Sequence, residues 1–486
     1  MHGDHTPIVL SDPILTPLGA KQMHDRGAAF RNRYICPSGY DEYVGTVGIE
    51  PHHINNAQLH VESSTEHYSS ASAIAFMQGL YPPVPHVTYD SIIPSDQWLF
   101  DSSQSDYSLF GYQNPNVKTL APGYDPDSIW SHGHTLCNKH EQQMAMFANN
   151  SMDRVFKEAF PRSQANFYNA YDLYDYAAYH WNHETSTALG MTSHDLEALR
   201  ELAWEEQSLK YGHLDDAQND LTSAIAGRTL ASRVTALFSE NIKSRGKRNK
   251  LNLAFTSHKP FLDFFALAKL TTGPFSHLFS QLPEPGATLT FELFSIDEAS
   301  DSSSADSLSH TYAYDLDPYN NDAYDHADSF GDMPKSYSVR ARRGHKEIEA
   351  TLTYDDSTDP LNDQHPVDDQ HPVHFDSNAI NDNTITSYPE TDRLYVRFLY
   401  YSNSNNSSRP EFTSCPLFGN THSAVPFKHF NATVSAIGIS DVASWCTACE
   451  SRDTVFFCKD TKPRTKKRSH HITIALAGGN RDQIGV

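Results

Sequence analysis

A stretch that cannot fill a hydrophobic core divides this chain. Between about residues 299 and 388 the sequence includes "SDSSSADSLSHTYAYDLDPYNNDAYDHADSFGD" and the tandem "DQHPVDDQHPV", dominated by Asp, Ser and Asn. Its apolar side chains are too few to offset the entropy of ordering the backbone, so disorder or a mobile surface insertion is expected. The His and Asp residues there have ligand chemistry, but nothing in their spacing fixes a geometry, and a solvated loop is the favoured reading. Any core must be assembled from the sequence on either side.

That flanking sequence reads as mixed α/β. "MTSHDLEALRELAWEEQSLKYG" carries Leu196, Leu199, Leu202 and Ala203 at helical spacing, with Thr192 and Asp195 as a capping box. "LTSAIAGRTLASRVTALFSENI" continues with Leu230, Val234, Leu237 and Phe238 on one helical face. The basic turn "KSRGKRNK" leads to a strand "LNLAF" and a helix "PFLDFFALAKL" with Pro260 near its start. "ATLTFELFS" and "RLYVRFLYY" alternate as strands do.

At 486 residues the chain suffices for one large or two medium domains. Lys plus Arg is 37 and Asp plus Glu is 60, a formal net charge of -23, which argues against a nucleic-acid binder because phosphate neutralisation needs clustered cations. The 27 histidines add positive charge as the pH falls. No run approaches the roughly 20 apolar residues that span a bilayer, and the opening lacks the n-region and h-region of a signal peptide. Asn-x-Ser/Thr sites nevertheless occur at Asn149, Asn405, Asn406 and Asn431. Cys446, Cys449 and Cys458 cluster in "WCTACESRDTVFFC". Unpaired core thiols, a disulfide-stapled loop and a zinc site are all open; the stapled loop is favoured beside these sequons, and zinc lacks a fourth ligand.

The opening "HGDHTP" and "LTPLGAKQMHDRGAAFRNRYI" resemble the histidine acid phosphatase branch of the phosphoglycerate mutase-like, or histidine phosphatase, superfamily. Further segments follow in that family's order. "SASAIAFMQGLYPP" looks like the helix after its second arginine site, and "QANFYNAYDLYDYAAYHWNH" like part of its helical insertion. "AIAGRTLASRV" looks like the return helix, and "LAFTSHKPFLDFFALAKL" like the strand, His-Asp motif and helix. "LYVRFLYYSNSN", "FTSCPLFG" and "WCTAC" are similar to the C-terminal strands and cysteine loop of fungal members. The resemblance implies an α/β core over 1–90 and 245–486. It also implies a mostly helical insertion over 91–244, with 299–388 as an acidic insertion within the core.

It implies, too, hydrolysis of small phosphate monoesters without metal or organic cofactor. A neutral imidazole attacks phosphorus in line with the leaving oxygen, and water later hydrolyses the phosphohistidine. Guanidinium groups meet the charge on the equatorial oxygens, and a carboxylic acid protonates the departing alkoxide. His2 matches the nucleophile, with Gly3 and Pro7 in the turn behind it; the alternative for His2 is an unstructured chain end. Met1 stands where the first arginine belongs and His5 replaces the second. Glu62 falls where the third is expected, a reversal of sign. His258 matches the second histidine, a phosphate contact, or else makes a backbone bond at a helix start. Lys259 replaces the acid; an ammonium with an ordinary pKa near 10.4 is a poor proton donor here, although it can add positive charge.

Removing one preorganised oxyanion donor typically costs about 100- to 1,000-fold in rate. The expectation is therefore a histidine acid phosphatase-like protein with impaired turnover. The alternative is a pseudophosphatase that uses its cleft for binding, secreted or at the cell surface. In this fold the nucleophile ends a central apolar strand, and no such strand precedes His2. The expectation is that an N-terminal segment carrying the strand and a signal peptide is absent from this sequence.

Overall fold

A computed structural model of the chain describes residues 1–10, 12–36, 43–83, 112–147, 167–183, 190–212, 220–295, 336–343, 346–353, 388–402 and 412–459. Two units are distinguished: Met1–Ser303 with Ser387–Val486, and Ser304–Thr386.

In the first unit, helix α1 (Pro17–Tyr34) begins where Thr16 accepts from the Gly19 N–H and Pro17 fixes the first turn. Strand β1 (Leu59–Ser64) leads into helix α2 (His67–Leu80). The two helices meet where they lack side chains. A Cβ on Gly27 would lie 2.0 Å from the Phe76 carbonyl oxygen, and one on Gly79 would lie 1.9 Å from that of His24. Beneath them, β1 pairs in parallel with β2 (Val117–Leu120) and β3 (Leu251–Phe255), Val61 standing between Val117 and Leu253. Met23, Phe30, Phe76, Met77 and Phe255 form the core between these helices and the sheet.

Between β2 and β3 the described residues are helical: α3 (Ile129–His132), α4 (Asn138–Phe147), α5 (Ala170–Asn182), α6 (Ser193–Tyr211) and α7 (Ile225–Lys243). The capping box at the start of α6 forms as expected, with Thr192 and Asp195 each accepting from the other's N–H. On α7 the expected apolar stripe of Leu230, Val234 and Phe238 is only partly buried. The fully buried face is small and polar instead, including Gly227, Ala231 and Thr235. Gly227 sits so close to α8 (Lys259–Leu267) that a Cβ would be 2.6 Å from the Asp263 backbone, so proximity decides which face turns inward.

After α8 and α9 (Ser276–Phe279), strand β4 (Thr288–Ser295) pairs antiparallel with β7 (Leu394–Tyr401), Phe291 opposite Phe398. Strands β8 (Thr413–Ser414) and β9 (Ala424–Pro426) add to β7, followed by α10 (Phe427–Ile437) and α11 (Val442–Ala448). Phe264, Phe265, Phe398 and Phe430 fill the second core. This is the mixed α/β architecture read from the sequence. In the other unit, β5 (Ser336–Arg343) and β6 (Lys346–Thr353) form an antiparallel hairpin with Val339 opposite Ala350 and Arg340 opposite Glu349. Composition alone passed over their period-two pattern; the rest of 299–388 expected to be disordered lies almost wholly outside the described residues.

Two disulfides cross the C-terminal segment. Cys446 pairs with Cys458, as a stapled loop requires, whereas Cys449 pairs with Cys137, 312 residues away. The thiol and zinc readings of this cluster are thereby overturned. Trp445 donates to the Gly133 carbonyl at 2.8 Å beside them. Asn431 is half-buried on α10; Asn149, Asn405 and Asn406 lie outside the described residues. No helix of the described residues is long and apolar enough to cross a membrane.

Candidate active site

The N-terminal residues run between the two sheets at the carboxyl end of β3, where α/β folds commonly bind ligands. The His2 N–H donates to Thr256 at 3.2 Å and its carbonyl accepts from Gly286 at 2.8 Å. Gly3 donates to Ser72 at 3.0 Å, and a Cβ on it would lie 2.4 Å from the Gly19 carbonyl oxygen, which explains a glycine there. Asp4 holds the turn from two sides, accepting from Thr16 and from Asn182 and His183 at the end of α5.

This backbone buries the His2 ring to 2 % exposure. Its Nδ1 lies 3.0 Å from the Gly3 carbonyl. A carbonyl can only accept, so the proton sits on Nδ1 and Nε2 presents a lone pair. Burial, with smaller contributions from His5 and His258, pushes the His2 pKa well below the usual imidazole range. The ring is neutral through mildly acidic pH. His2 is thus a seated side chain, and the unstructured alternative falls.

His5 lies beside it, ring centroids 4.7 Å apart. Its Nδ1 is 2.8 Å from the Thr6 carbonyl, and its Nε2 is 3.7 Å from Asp175 of α5. The other Asp175 oxygen accepts from the Ile8 N–H at 2.8 Å. Burial raises the Asp175 pKa to about 6, with His5 acting in the opposite direction. Tyr68, in the first turn of α2, stacks on His5 at 4.6 Å and meets His2 edge-on at 4.7 Å.

His258 is the N-cap residue of α8, but its side chain makes no capping bond. The buried ring packs at 4.3 Å on Tyr171 of α5, and Nε2 is 2.7 Å from the Gln207 amide oxygen. Gln207 donates its own nitrogen to Glu206 at 2.7 Å, which fixes the amide's orientation. The His258 proton is therefore on Nε2, and its Nδ1 has no hydrogen-bond partner among the described residues. The backbone-bond alternative for this ring does not hold.

The remaining positions expected at the site have other neighbours, although the Lys259 charge also acts on His258. Met1 packs in the second core. Glu62 pairs with His60 at 2.9 Å and with Arg233 at 3.8 Å. From this segment it is Tyr68, six residues later, that faces His2. Lys259 reaches over the Tyr211 ring at 5.2 Å; burial lowers its pKa, opposed by Asp172, Glu206 and Glu66. Arginines of neighbouring elements are also engaged: Arg26 over Tyr401, Arg33 and Arg397 on Glu292, and Arg228 on the Ser223 and Ile437 carbonyls. Among the described residues no group of three or more His, Cys, Asp or Glu is arranged to hold a metal ion.

The sequence matches the Histidine phosphatase superfamily (branch 2) over residues 5–313. The chain belongs to this family. The matched stretch includes His5, Tyr68, Asp175, Gln207 and His258, and His2 stands three residues ahead of it. No curated protein matches the sequence. Solved structures similar to this chain include the phytase from Citrobacter braakii, at 9 % identity, 92 % of this chain, 96 % of that chain and a TM-score of 0.43. The phytase of Klebsiella sp. ASR1 is 12 % identical over 62 % of this chain and 78 % of its own, TM-score 0.33. The apo form of Hafnia alvei phytase is 10 % identical over 60 % of this chain and 78 % of its own, TM-score 0.32.

Sequence reasoning missed Tyr68, Asp175, Tyr171 and Gln207. One signal was available. Tyr171, Asp175 and Asn182 recur at spacings of four and seven on α5, a single helical face that meets His258, His5 and Asp4 in turn.

Proposed function

We propose that this chain is a histidine acid phosphatase-like phosphomonoesterase of weak turnover, acting through Nε2 of His2. The observation that supports it is the hydrogen bond from Nδ1 to the Gly3 carbonyl, which leaves a neutral, aimed lone pair at the second nitrogen. In the reaction proposed, Nε2 bonds to phosphorus as the ester P–O bond breaks, and water then cleaves the N–P bond. The unpartnered Nδ1 of His258 accepts a proton better than it donates one. It therefore favours a substrate that still carries a P–OH, the form that prevails in acid.

Weak turnover follows from what surrounds the nucleophile. A phenol and a second imidazole face His2, and Lys259, whose charge also acts on His258, lies over the Tyr211 ring. Equatorial phosphoryl charge then meets few preorganised cations, and each such donor is worth about 100- to 1,000-fold. The same features favour a second reading, a pseudophosphatase that binds without turning over. Two disulfides and the sequons support an extracellular or cell-surface location in either case.

The test is hydrolysis of an aryl phosphate across mildly acidic pH, beside His2→Ala, with protein quenched in alkaline detergent and probed for alkali-stable, acid-labile phosphate. Turnover and labelling that both vanish in His2→Ala support the enzyme. Equal background in the two proteins supports the pseudoenzyme.

A further inference from the structure

We propose that His5 and Asp175 form the proton-donating pair for the leaving group, His5 as the donor and Asp175 as its positioning residue. This rests on the reading of His2 as the phosphoryl acceptor. Position 259 carries a lysine over the Tyr211 ring where the acid is expected, and an ammonium is a poor proton donor, so the alkoxide needs a proton from elsewhere.

The geometry offers one next to His2. With Nδ1 of His5 donating to the Thr6 carbonyl, the exchangeable proton of the pair lies between Nε2 and the Asp175 carboxylate 3.7 Å away. That separation is within the looseness of unliganded catalytic sites. The Ile8 N–H pins the second carboxylate oxygen at 2.8 Å, so Asp175 is held from two sides. The stacked Tyr68 ring fixes the plane of His5. Groups facing the pair are His2 and Asp4 from the N-terminal segment, Tyr68 from α2, Tyr171, Asp172 and Tyr174 from α5, and His258 from α8. Tyr68, Tyr171 and Tyr174 have phenols pushed upward by burial and stay neutral. An Asp175 pKa raised to about 6 suits a pair that keeps its proton in acid and loses it near neutrality.

The step balances. As Nε2 of His2 bonds to phosphorus, the P–O electron pair leaves on oxygen and takes the proton from Nε2 of His5, giving the alcohol. His5 is left neutral beside the Asp175 carboxylate. On hydrolysis, water gives its oxygen to phosphorus and its proton back to the pair.

The experiment compares an alkyl phosphate with 2,4-dinitrophenyl phosphate, whose leaving oxygen needs no proton, on the full chain and on Asp175→Asn. The variant is expected to lose roughly 100-fold more kcat/KM on the alkyl ester than on the dinitrophenyl ester. Asp175→Glu is expected to restore part of that difference. Equal loss on both esters marks a purely structural role and overturns the proposal. Should Asp175→Asn not fold, the wild type decides alone. Its rate is expected to depend weakly on leaving-group basicity at about pH 5 and steeply at about pH 8; the same slope at both overturns the pair. No dinitrophenolate release above His2→Ala overturns the phosphatase reading itself, a different outcome from equal loss.

Discussion

The amide oxygen of Gln207 lies 2.7 Å from Nε2 of His258, and the amide nitrogen of the same residue donates to Glu206. One side chain on α6 thus decides which nitrogen of a site histidine carries its proton. Replacing Gln207 with Leu leaves a buried N–H without an acceptor. The expected cost is about 1–3 kcal/mol of unfolding free energy, read from urea denaturation. Nitrogen-15 NMR of the His258 ring should show the proton moving toward Nδ1.

Asp175 makes stability depend on pH with a definite sign. Its pKa rises from 3.8 to about 6 on folding. Between those values the folded state binds the proton more tightly than the unfolded chain, so stability falls as the pH rises. Below about pH 4 the contribution is fully present, and above about pH 6 it is gone, a swing of about 3 kcal/mol. Asp175→Asn, which has no proton to lose, should abolish this slope. Urea midpoints of both proteins at about pH 4 and about pH 7 measure it; parallel changes in the two would show that Asp175 does not titrate there.

Much of the architecture was legible because caps and periodicity are local. Thr192 with Asp195, Pro260, and the alternation in "ATLTFELFS" and "RLYVRFLYY" each specify an element from a few adjacent residues. The site was less legible because its partners come from distant segments. Motif spacing put Glu62 in the pocket, but a strand residue and a residue in the first turn of the next helix face different ways, and Tyr68 holds that place. Asp175 and Gln207 sit on helices whose polar residues look solvent-facing until the N-terminal segment and α8 are packed on them. Cys137 gave no local sign of Cys449.

Glu292 on β4 is a buried charge between two guanidinium groups, Arg33 at 2.9 Å and Arg397 of β7 at 2.5 Å. Tyr34 also donates to it at 2.7 Å. Burial alone would raise its pKa, and the two arginines outweigh that and hold it low. Its stabilising contribution is present above the ordinary carboxylate pKa and is lost as the pH falls through the depressed value. Glu292→Gln removes the carboxylate that the two guanidiniums share, with an expected cost of about 3–5 kcal/mol. The thermal midpoint near neutral pH is the measurement, and an unchanged midpoint refutes it.

The two disulfides should contribute unequally. Cys446–Cys458 joins residues 12 apart, whereas Cys137–Cys449 joins residues 312 apart and ties the α3–α4 turn to the end of α11. In the loop-entropy account, a cross-link restricts the unfolded chain more when the loop it closes is longer. The estimates are about 3 kcal/mol for the short loop and on the order of 5 kcal/mol for the long one. Native contacts reinforce the long link, because Lys139 donates to the Cys449 carbonyl and Asn138 to Glu450 and Ser451. Cys137→Ala with Cys449→Ala should therefore lower the denaturation midpoint more than Cys446→Ala with Cys458→Ala. Equal midpoints would mean that the folded segments already hold the C-terminal helix in place without the longer bridge.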